Sequence, residues 1–159
     1  MHRAIRHVKK IALRACYSLF VKVIYIPKTQ IDKALTILPL RGKRNLEPFI
    51  SLAKETGLPL QLLEDTDVVN DAEIHKKADD LWLCLSGEVA FICGGEMQDL
   101  WLSKRRDSSE NPDEIKGKSI SGGTAYVLRP GDWLWIPAGV PHQHSAAKTA
   151  RLAIIKIPR

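Results

Sequence analysis

The chain has 159 residues, 45% of them apolar, and a formal net charge of +6. This size and apolar content predict one domain with one buried core, preceded by an N-terminal extension. The excess charge lies in residues 1–30, which hold seven Lys or Arg and no acid, so that 17 basic and 18 acidic residues remain for the rest. The remainder is nearly neutral, which argues against nucleic acid as a partner of the core.

Residues 1–20 predict a basic amphipathic helix, because apolar side chains recur at helical spacing and Arg and Lys lie on the opposite face. Three interpretations stay open: a packing or dimerisation arm, a membrane-surface or targeting segment, or an extension without function. We favour an arm or a functionless extension over membrane contact. Arg14 and Lys22 interrupt the apolar stretch, so neither a secretory signal nor a membrane-spanning segment is predicted.

The three cysteines, Cys16, Cys84 and Cys93, show no CxxC spacing. Such an odd and sparse set predicts no disulfide framework and favours a reducing, cytoplasmic location. Cys84 and Cys93 lie in apolar, strand-like runs, where buried small side chains are expected.

Residues 27–57, which follow the first predicted helix, are expected to form a turn and a second helix. Pro27 ends the first segment, and residues 41–44 read as a solvated turn. Residues 45–56 have apolar side chains at helical spacing, and Gly57 stands where a helix commonly ends in a left-handed residue. We therefore expect residues 1–57 to form the extension and residues 58–159 to form the domain.

From residue 58 the pattern changes to short runs typical of β-strands. Many short strands between turns indicate an all-β barrel or sandwich. Residues 104–123 are polar and lack apolar periodicity, which predicts a long loop, either a lid or a mobile excursion. The predicted strands cover residues 58–63, 72–76, 81–85, 89–93, 100–102, 125–128, 133–136, 143–146 and 152–157.

Two motifs stand out within these strands. In the second, Gly131 is followed after five residues by Pro137-x-Gly139, and His142 comes three positions later. The first motif, anchored on Gly87, places an acid, a histidine and a second acid upstream of that glycine, at Asp80, His75 and Glu73.

This pair of motifs resembles that of the cupin superfamily, in which the first motif usually carries His, His and Glu. The resemblance implies a double-stranded β-helix, a small jelly-roll barrel, with any site inside the barrel. Two of the first-motif positions differ here, because Glu73 and Asp80 replace a histidine and a glutamate.

The resemblance makes His75 and His142 the main candidates for metal ligands, with Asp80 and Glu73 as further candidates. Either Asp80 or its neighbour Asp79 could be the inward carboxylate. Alternate residues of a strand share a face, so Glu73 projects with His75. Imidazole and carboxylate together suit a divalent transition metal such as Mn, Fe, Ni, Co or Zn.

His144 shares a strand face with His142 and is a candidate substrate contact, proton shuttle or extra metal ligand, with a satisfied core residue as the competing interpretation. Trp135 is a candidate for lining a substrate pocket, and the competing interpretation is barrel filling. The functional hypothesis is a metal-binding cupin acting on a small organic substrate, of the isomerase, dioxygenase or lyase type. The alternative is a non-catalytic binding or sensory barrel that has lost its metal. By resemblance, a homodimer is expected.

Overall fold

The computed structural model describes residues 23–105 and 107–159. The helix predicted over residues 1–20 lies outside these ranges and stays a prediction. Within them the helices are α1 (Lys28–Leu35) and α2 (Phe49–Thr56). The strands are β1 (Gly42–Asn45), β2 (Leu60–Thr66), β3 (Val68–Val69), β4 (Ala72–His75), β5 (Ala78–Ser86), β6 (Val89–Cys93), β7 (Glu96–Gln98), β8 (Trp101–Lys104), β9 (Glu110–Gly117), β10 (Ser119–Ser121), β11 (Thr124–Leu128), β12 (Trp133–Ile136), β13 (His142–Ala146) and β14 (Ala150–Pro158).

Two antiparallel sheets form the body of the domain. The first has the order β1-β2-β14-β5-β12, and the second has the order β11-β6-β13-β4-β9-β8, with β3 paired to β13. An antiparallel pair, β7 and β10, adds a short third sheet. The predicted all-β class and double-stranded β-helix are confirmed.

The barrel core lies between the two sheets and draws side chains from both. Trp82 and Leu152 come from the first sheet, and Phe91 comes from the second. Each is fully buried, and the Trp82 and Phe91 rings meet edge to face at a centroid distance of 5.0 Å. Alternation along the strands keeps these residues on the inner faces.

A second apolar cluster covers the outer face of the first sheet. Ala34, Leu46 and Phe49 pack there against Leu62 of β2. The left-handed Gly57, with φ of 72°, ends α2 as the sequence predicted. Residues 28–57 thus lie against the barrel, and the domain boundary predicted at residue 57 stays a prediction. Within the described ranges, no helix has the length and apolar character needed to cross a membrane.

A buried carboxylate, Glu64, ties the N-terminal segment to the first sheet. It accepts hydrogen bonds of 2.8 Å from Nε of Arg44 and from Nε of Arg151. The Leu40 amide donates to the same carboxylate at 3.0 Å, and Arg151 also donates to the Leu35 carbonyl at 2.8 Å. One fully buried acid therefore joins two guanidinium groups and the chain between α1 and β1.

Two local predictions were wrong. Residues 41–44, expected to be a solvated turn, contribute to β1, which pairs with β2 from Gly42 to Asn45. The expected long loop at residues 104–123 instead contains β9 and β10. In both segments charged side chains make specific ion pairs, so the strands lack the apolar alternation that would have revealed them. The sequence also gave no prediction of α1.

Gly87 begins the tight turn between β5 and β6 and has a φ of 77°. A Cβ atom on Gly87 would lie 2.1 Å from the Thr149 carbonyl oxygen. Gly94 has nearly the same φ, 76°, and no atom within 4 Å of the equivalent position. Gly87 and Gly94 thus share a backbone conformation and differ in the space around a Cβ atom, so substitutions at the two positions distinguish backbone strain from steric collision.

We expect Gly87→Ala to destabilise the protein far more than Gly94→Ala. The Gly94 change carries only the left-handed backbone cost of about 1–2 kcal/mol. The Gly87 change adds a collision with a backbone oxygen, for a total of about 4 kcal/mol or more. Urea unfolding of both variants measures the difference, and equal losses would contradict the steric argument.

We expect Glu64→Gln to lower the free energy of unfolding by about 3 kcal/mol, because the amide leaves the buried guanidinium group of Arg151 and the partly buried one of Arg44 without a counter-charge. The control is Asp32→Asn. Asp32 forms an exposed pair with Lys28, so its loss is expected to cost less than about 0.5 kcal/mol. Urea unfolding at neutral pH tests both, and similar midpoints for the two variants would refute the role given to Glu64.

Candidate metal centre

Four side chains named by the two motifs converge in the structure. Glu73 and His75 come from β4, Asp80 comes from β5 and His142 comes from β13. One donor atom from each lies within 4.8 Å of all the others. Three of the four residues are buried, and His75 is partly exposed.

The pleat of β5 decides which aspartate joins this group. Asp80 faces inward, and Asp79 faces the outside of the sheet, where it accepts hydrogen bonds from the Ala138 amide at 2.8 Å and Trp135 Nε1 at 3.1 Å. Arg159 Nε donates to Asp79 at 2.8 Å. The Arg159 bond, followed by those of Ala138 and Trp135, lowers the pKa of Asp79 to about 2. Asp79 therefore binds residues on the outer surface and does not belong to the group of four.

The turn of the second motif brings the two histidines together. Gly139, with φ of 83°, donates its amide to the carbonyl of His75 at 2.8 Å. Strand β13 then begins with His142, which pairs with Glu73 of β4. The glycine is needed because few other residues adopt that backbone conformation. The second motif thus fixes the position of His142 relative to β4, the strand that carries His75.

The donor atoms form a compact set. His142 Nε2 lies 3.4 Å from Glu73 Oε1 and 3.4 Å from Asp80 Oδ2. His75 Nε2 lies 3.6 Å from the same Glu73 oxygen and 3.5 Å from the same Asp80 oxygen. Both imidazoles therefore point their Nε2 atoms between the two carboxylates.

His142 has one nitrogen fixed and the other without a partner. Its Nδ1 lies 3.1 Å from the Val140 carbonyl, so it is the nitrogen that carries a proton toward the backbone. Its buried Nε2 makes no hydrogen bond. Burial lowers the pKa of His142, but the carboxylates of Asp80 and Glu73 outweigh it and raise the pKa to about 9.

Two lysines that the motifs do not include flank the group. Lys156 of β14 lies opposite Asp80 in register and contacts both Asp80 oxygens, at 2.6 and 2.7 Å. Lys116 of β9 lies opposite Glu73 and forms an ion pair with Glu73 Oε2. Burial raises the pKa values of both Asp80 and Glu73, but their histidine and lysine neighbours lower them further than burial raises them.

A sequence signal existed for one lysine. Lys156 continues the alternation of Leu152 and Ile154, whose side chains are in the barrel core. A charged residue at such an inward position indicates a partner of opposite charge. Lys116 had no comparable signal, because its strand was predicted to be a loop.

His144 lies on the same face of β13 as His142 but in a different environment. It is 1% exposed, stacks on Phe91 at 5.3 Å and places Nε2 at 3.1 Å from Oδ2 of the buried Asp65. Burial lowers its pKa. His144 is therefore part of the core behind the metal-type group, and its role as a substrate contact stays a prediction.

Trp135 lies on the outer face of β12, where it is 57% exposed. Its indole donates to Asp79, and the Arg159 guanidinium lies 6.0 Å from its ring centroid. The inward positions of this strand are those of Leu134 and Ile136, which contact the barrel core. The structure does not bring Trp135 to the four-residue group, and its predicted substrate contact stays untested.

Comparison with known proteins is informative at the level of the fold. No family model matches the sequence, and no curated protein matches it. Among solved structures, E. coli ycfD is similar, with a TM-score of 0.53 and 19% identity over 77% of this chain. The fold is that of the cupin superfamily.

This chain spans 35% of the length of the ycfD chain. Other similar structures are the Drosophila melanogaster CENP-C cupin domain and KdgF from Halomonas sp. The former has a TM-score of 0.44 at 17% identity, over 65% of this chain and 58% of its own. The latter has a TM-score of 0.40 at 17% identity, over 64% of this chain and 71% of its own. The likeness to ycfD supports the fold alone, and the activity has to be argued from the site.

The group of four side chains has a donor set that fits a divalent metal. Zinc ligands lie about 2.0–2.2 Å from the ion, so neighbouring ligand atoms of a tetrahedral site are about 3.3–3.6 Å apart. The four histidine–carboxylate separations, 3.4 to 3.6 Å, fall in this range, and the two remaining separations are no greater than 4.8 Å. A backbone carbonyl fixes Nδ1 of His142, so Nε2 is the nitrogen that would bind a metal, with release of the proton that it holds below about pH 9.

The raised pKa of His142 predicts how the stability of the metal-free protein depends on pH. The folded state holds the proton up to about pH 9, whereas the unfolded state loses it near 6.5. The stabilisation is therefore complete below pH 6.5 and is lost as the pH rises through 9. The loss amounts to about 3 kcal/mol at most.

Urea unfolding in the presence of a chelator, from pH 6 to pH 10, measures this loss. His142→Gln is the reference, since it removes the titrating group from the same position. We expect the stability difference between the wild-type protein and this variant to shrink across that pH interval. A difference that stays constant would show that His142 is not the group responsible.

Proposed function

We propose that the protein is a metal-dependent cupin that acts on a small organic molecule. Glu73, His75, Asp80 and His142 would hold a divalent transition metal, of the series Mn, Fe, Ni, Co and Zn. The observation that supports this best is the Nε2 atom of His142, which is buried, lacks a hydrogen-bond partner and faces two carboxylate oxygens at 3.4 Å. A buried imidazole nitrogen in that setting is a natural metal ligand.

The reaction class follows from what such a centre supplies. A bound divalent metal acts as a Lewis acid on a substrate oxygen or binds dioxygen, which suits isomerase, lyase or dioxygenase chemistry. The side chain of Lys156 is 28% exposed and that of Lys116 is 21% exposed. Both ammonium groups are partly exposed and can donate hydrogen bonds to a carboxylate or hydroxyl group of a substrate.

A second candidate function is a non-catalytic binding or sensory barrel without metal. The specific observation in its favour is that Lys156 and Lys116 already pair with the carboxylates of Asp80 and Glu73. Each buried acid therefore has a positive partner within the chain itself. A metal is then not needed to compensate the two charges.

The neighbouring aspartates provide a matched test of metal binding. Asp80→Asn removes one proposed ligand, whereas Asp79→Asn removes a carboxylate from the opposite face of the same strand. We expect metal content, measured by inductively coupled plasma mass spectrometry after reconstitution, to fall about tenfold or more in Asp80→Asn. We expect it to be unchanged in Asp79→Asn. Circular dichroism establishes that both variants are folded.

The double variant His75→Ala, His142→Ala completes this test, with an expected loss of all bound metal. Metal content that survives both Asp80→Asn and the double variant would place the metal elsewhere in the chain. A wild-type protein that binds no metal on reconstitution, but is stabilised by a small ligand, would instead support the binding-module function.

A further inference from the structure

Lys156 is in direct contact with two of the four proposed metal ligands. Its Nζ atom lies 2.8 Å from His75 Nε2 and 2.6 and 2.7 Å from the two oxygens of Asp80. These are the contacts of a cation held by an imidazole nitrogen and a carboxylate. Two of the four proposed ligands thus already bind a positive group that belongs to the chain.

The contact with His75 conflicts with metal ligation. A neutral imidazole has one nitrogen lone pair, at its unprotonated nitrogen. Here Nε2 of His75 uses that lone pair to accept a hydrogen bond from the Lys156 ammonium. The same electrons would be needed for a bond to a metal, so this contact and ligation by His75 exclude each other. Lys156 also engages both oxygens of Asp80, which leaves that carboxylate less negative toward an ion.

Lys116 differs in this respect, although it has the same charge and a similar position. It pairs with Glu73 through Oε2, whereas the oxygen in the donor set is Oε1. Its other partner is Glu114, at 3.1 Å, which lies outside the group of four. Lys116 can therefore stay in place when a metal binds.

Lys156 has room to leave. Its side chain is 28% exposed, and it lies near the end of β14, where Ile157 is 39% exposed. A lysine side chain has a flexible stem of four methylene carbons and moves its ammonium group into solvent readily.

We propose that Lys156 is an internal competitor for the metal centre: it binds His75 and Asp80 in the metal-free protein, and a metal ion must displace it. The inference rests on the proposed metal function. It adds that the chain itself lowers the affinity for metal, and that metal binding moves Lys156 from the site to the surface. In the metal-free state Lys156 supplies the positive charge that the ion supplies in the metal-bound state.

The test compares Lys156→Met with Lys116→Met, in which the same charge is removed from either side of the group. The affinities for Zn²⁺ and for Mn²⁺ are measured by competition with a chromophoric chelator. We expect Lys156→Met to bind about tenfold more tightly than the wild-type protein, since one competing ligand is gone. Lys116→Met is expected to change less, because it removes charge without freeing a ligand. Adding Asp80→Asn to Lys156→Met should abolish the gain.

A second measurement uses the wild-type protein and needs no variant to fold. Acetylation of each lysine is followed by mass spectrometry with and without Zn²⁺. We expect acetylation of Lys156 to rise when Zn²⁺ is added, and that of Lys116 to stay the same. A rise confined to Lys156 would support the displacement directly.

The outcomes separate this inference from the proposed function. If the wild-type protein binds Zn²⁺ or Mn²⁺ and Lys156→Met binds it no more tightly, with Lys156 acetylation unchanged by the ion, the competitor role is wrong and the metal function stands. If neither the wild-type protein nor Lys156→Met binds either ion, both proposals fall. If Lys156→Met binds an ion that the wild-type protein does not, the competitor role is upheld in its strongest form.

Discussion

The structure depends most on the alternation of side chains along β5. This strand is paired on both sides, with β14 and with β12, so its pleat cannot shift without breaking two ladders. The pleat places Asp80, Trp82 and Cys84 inside the barrel and leaves Asp79 on the outer face. A slip of one residue would exchange the two aspartates and expose the core tryptophan. The site and the core therefore share one register.

Buried charge is compensated both inside the barrel and on the outer face of the first sheet. Inside, Glu73 and Asp80 lie against two lysines and two histidines, and outside, Glu64 lies between two arginines. The arginines serve attachment of the N-terminal segment, because their planar groups also satisfy backbone carbonyls. The inner lysines are single point charges on flexible stems, and such a charge is easily exchanged for another cation. The same requirement thus gives a fixed attachment outside the barrel and, under the proposed exchange, a replaceable cation inside it.

The sequence was informative where chemistry and pattern coincide. The glycine and proline positions of the second motif led to His142, and spacing from Gly87 led to His75, Asp80 and Glu73 as one group, which the structure brings together. The choice between Asp79 and Asp80 needed the pleat of a strand whose exact start the sequence did not give. β9 went unrecognised because its side chains make ion pairs rather than alternating apolar contacts. The pairing of β14 with β5 could not be predicted from the sequence, so the sequence grouped the four candidate residues and missed the lysines beside them.

The hydrogen bond from the Gly139 amide to the His75 carbonyl spans the two motifs. An amide held in this way exchanges its proton slowly as long as the strand carrying His75 stays in place. The amide of Gly139 therefore reports whether the second motif is in place against β4, the strand that carries His75. Hydrogen exchange at this one amide would follow the order of the centre in solution without a label, a substrate or a metal signal.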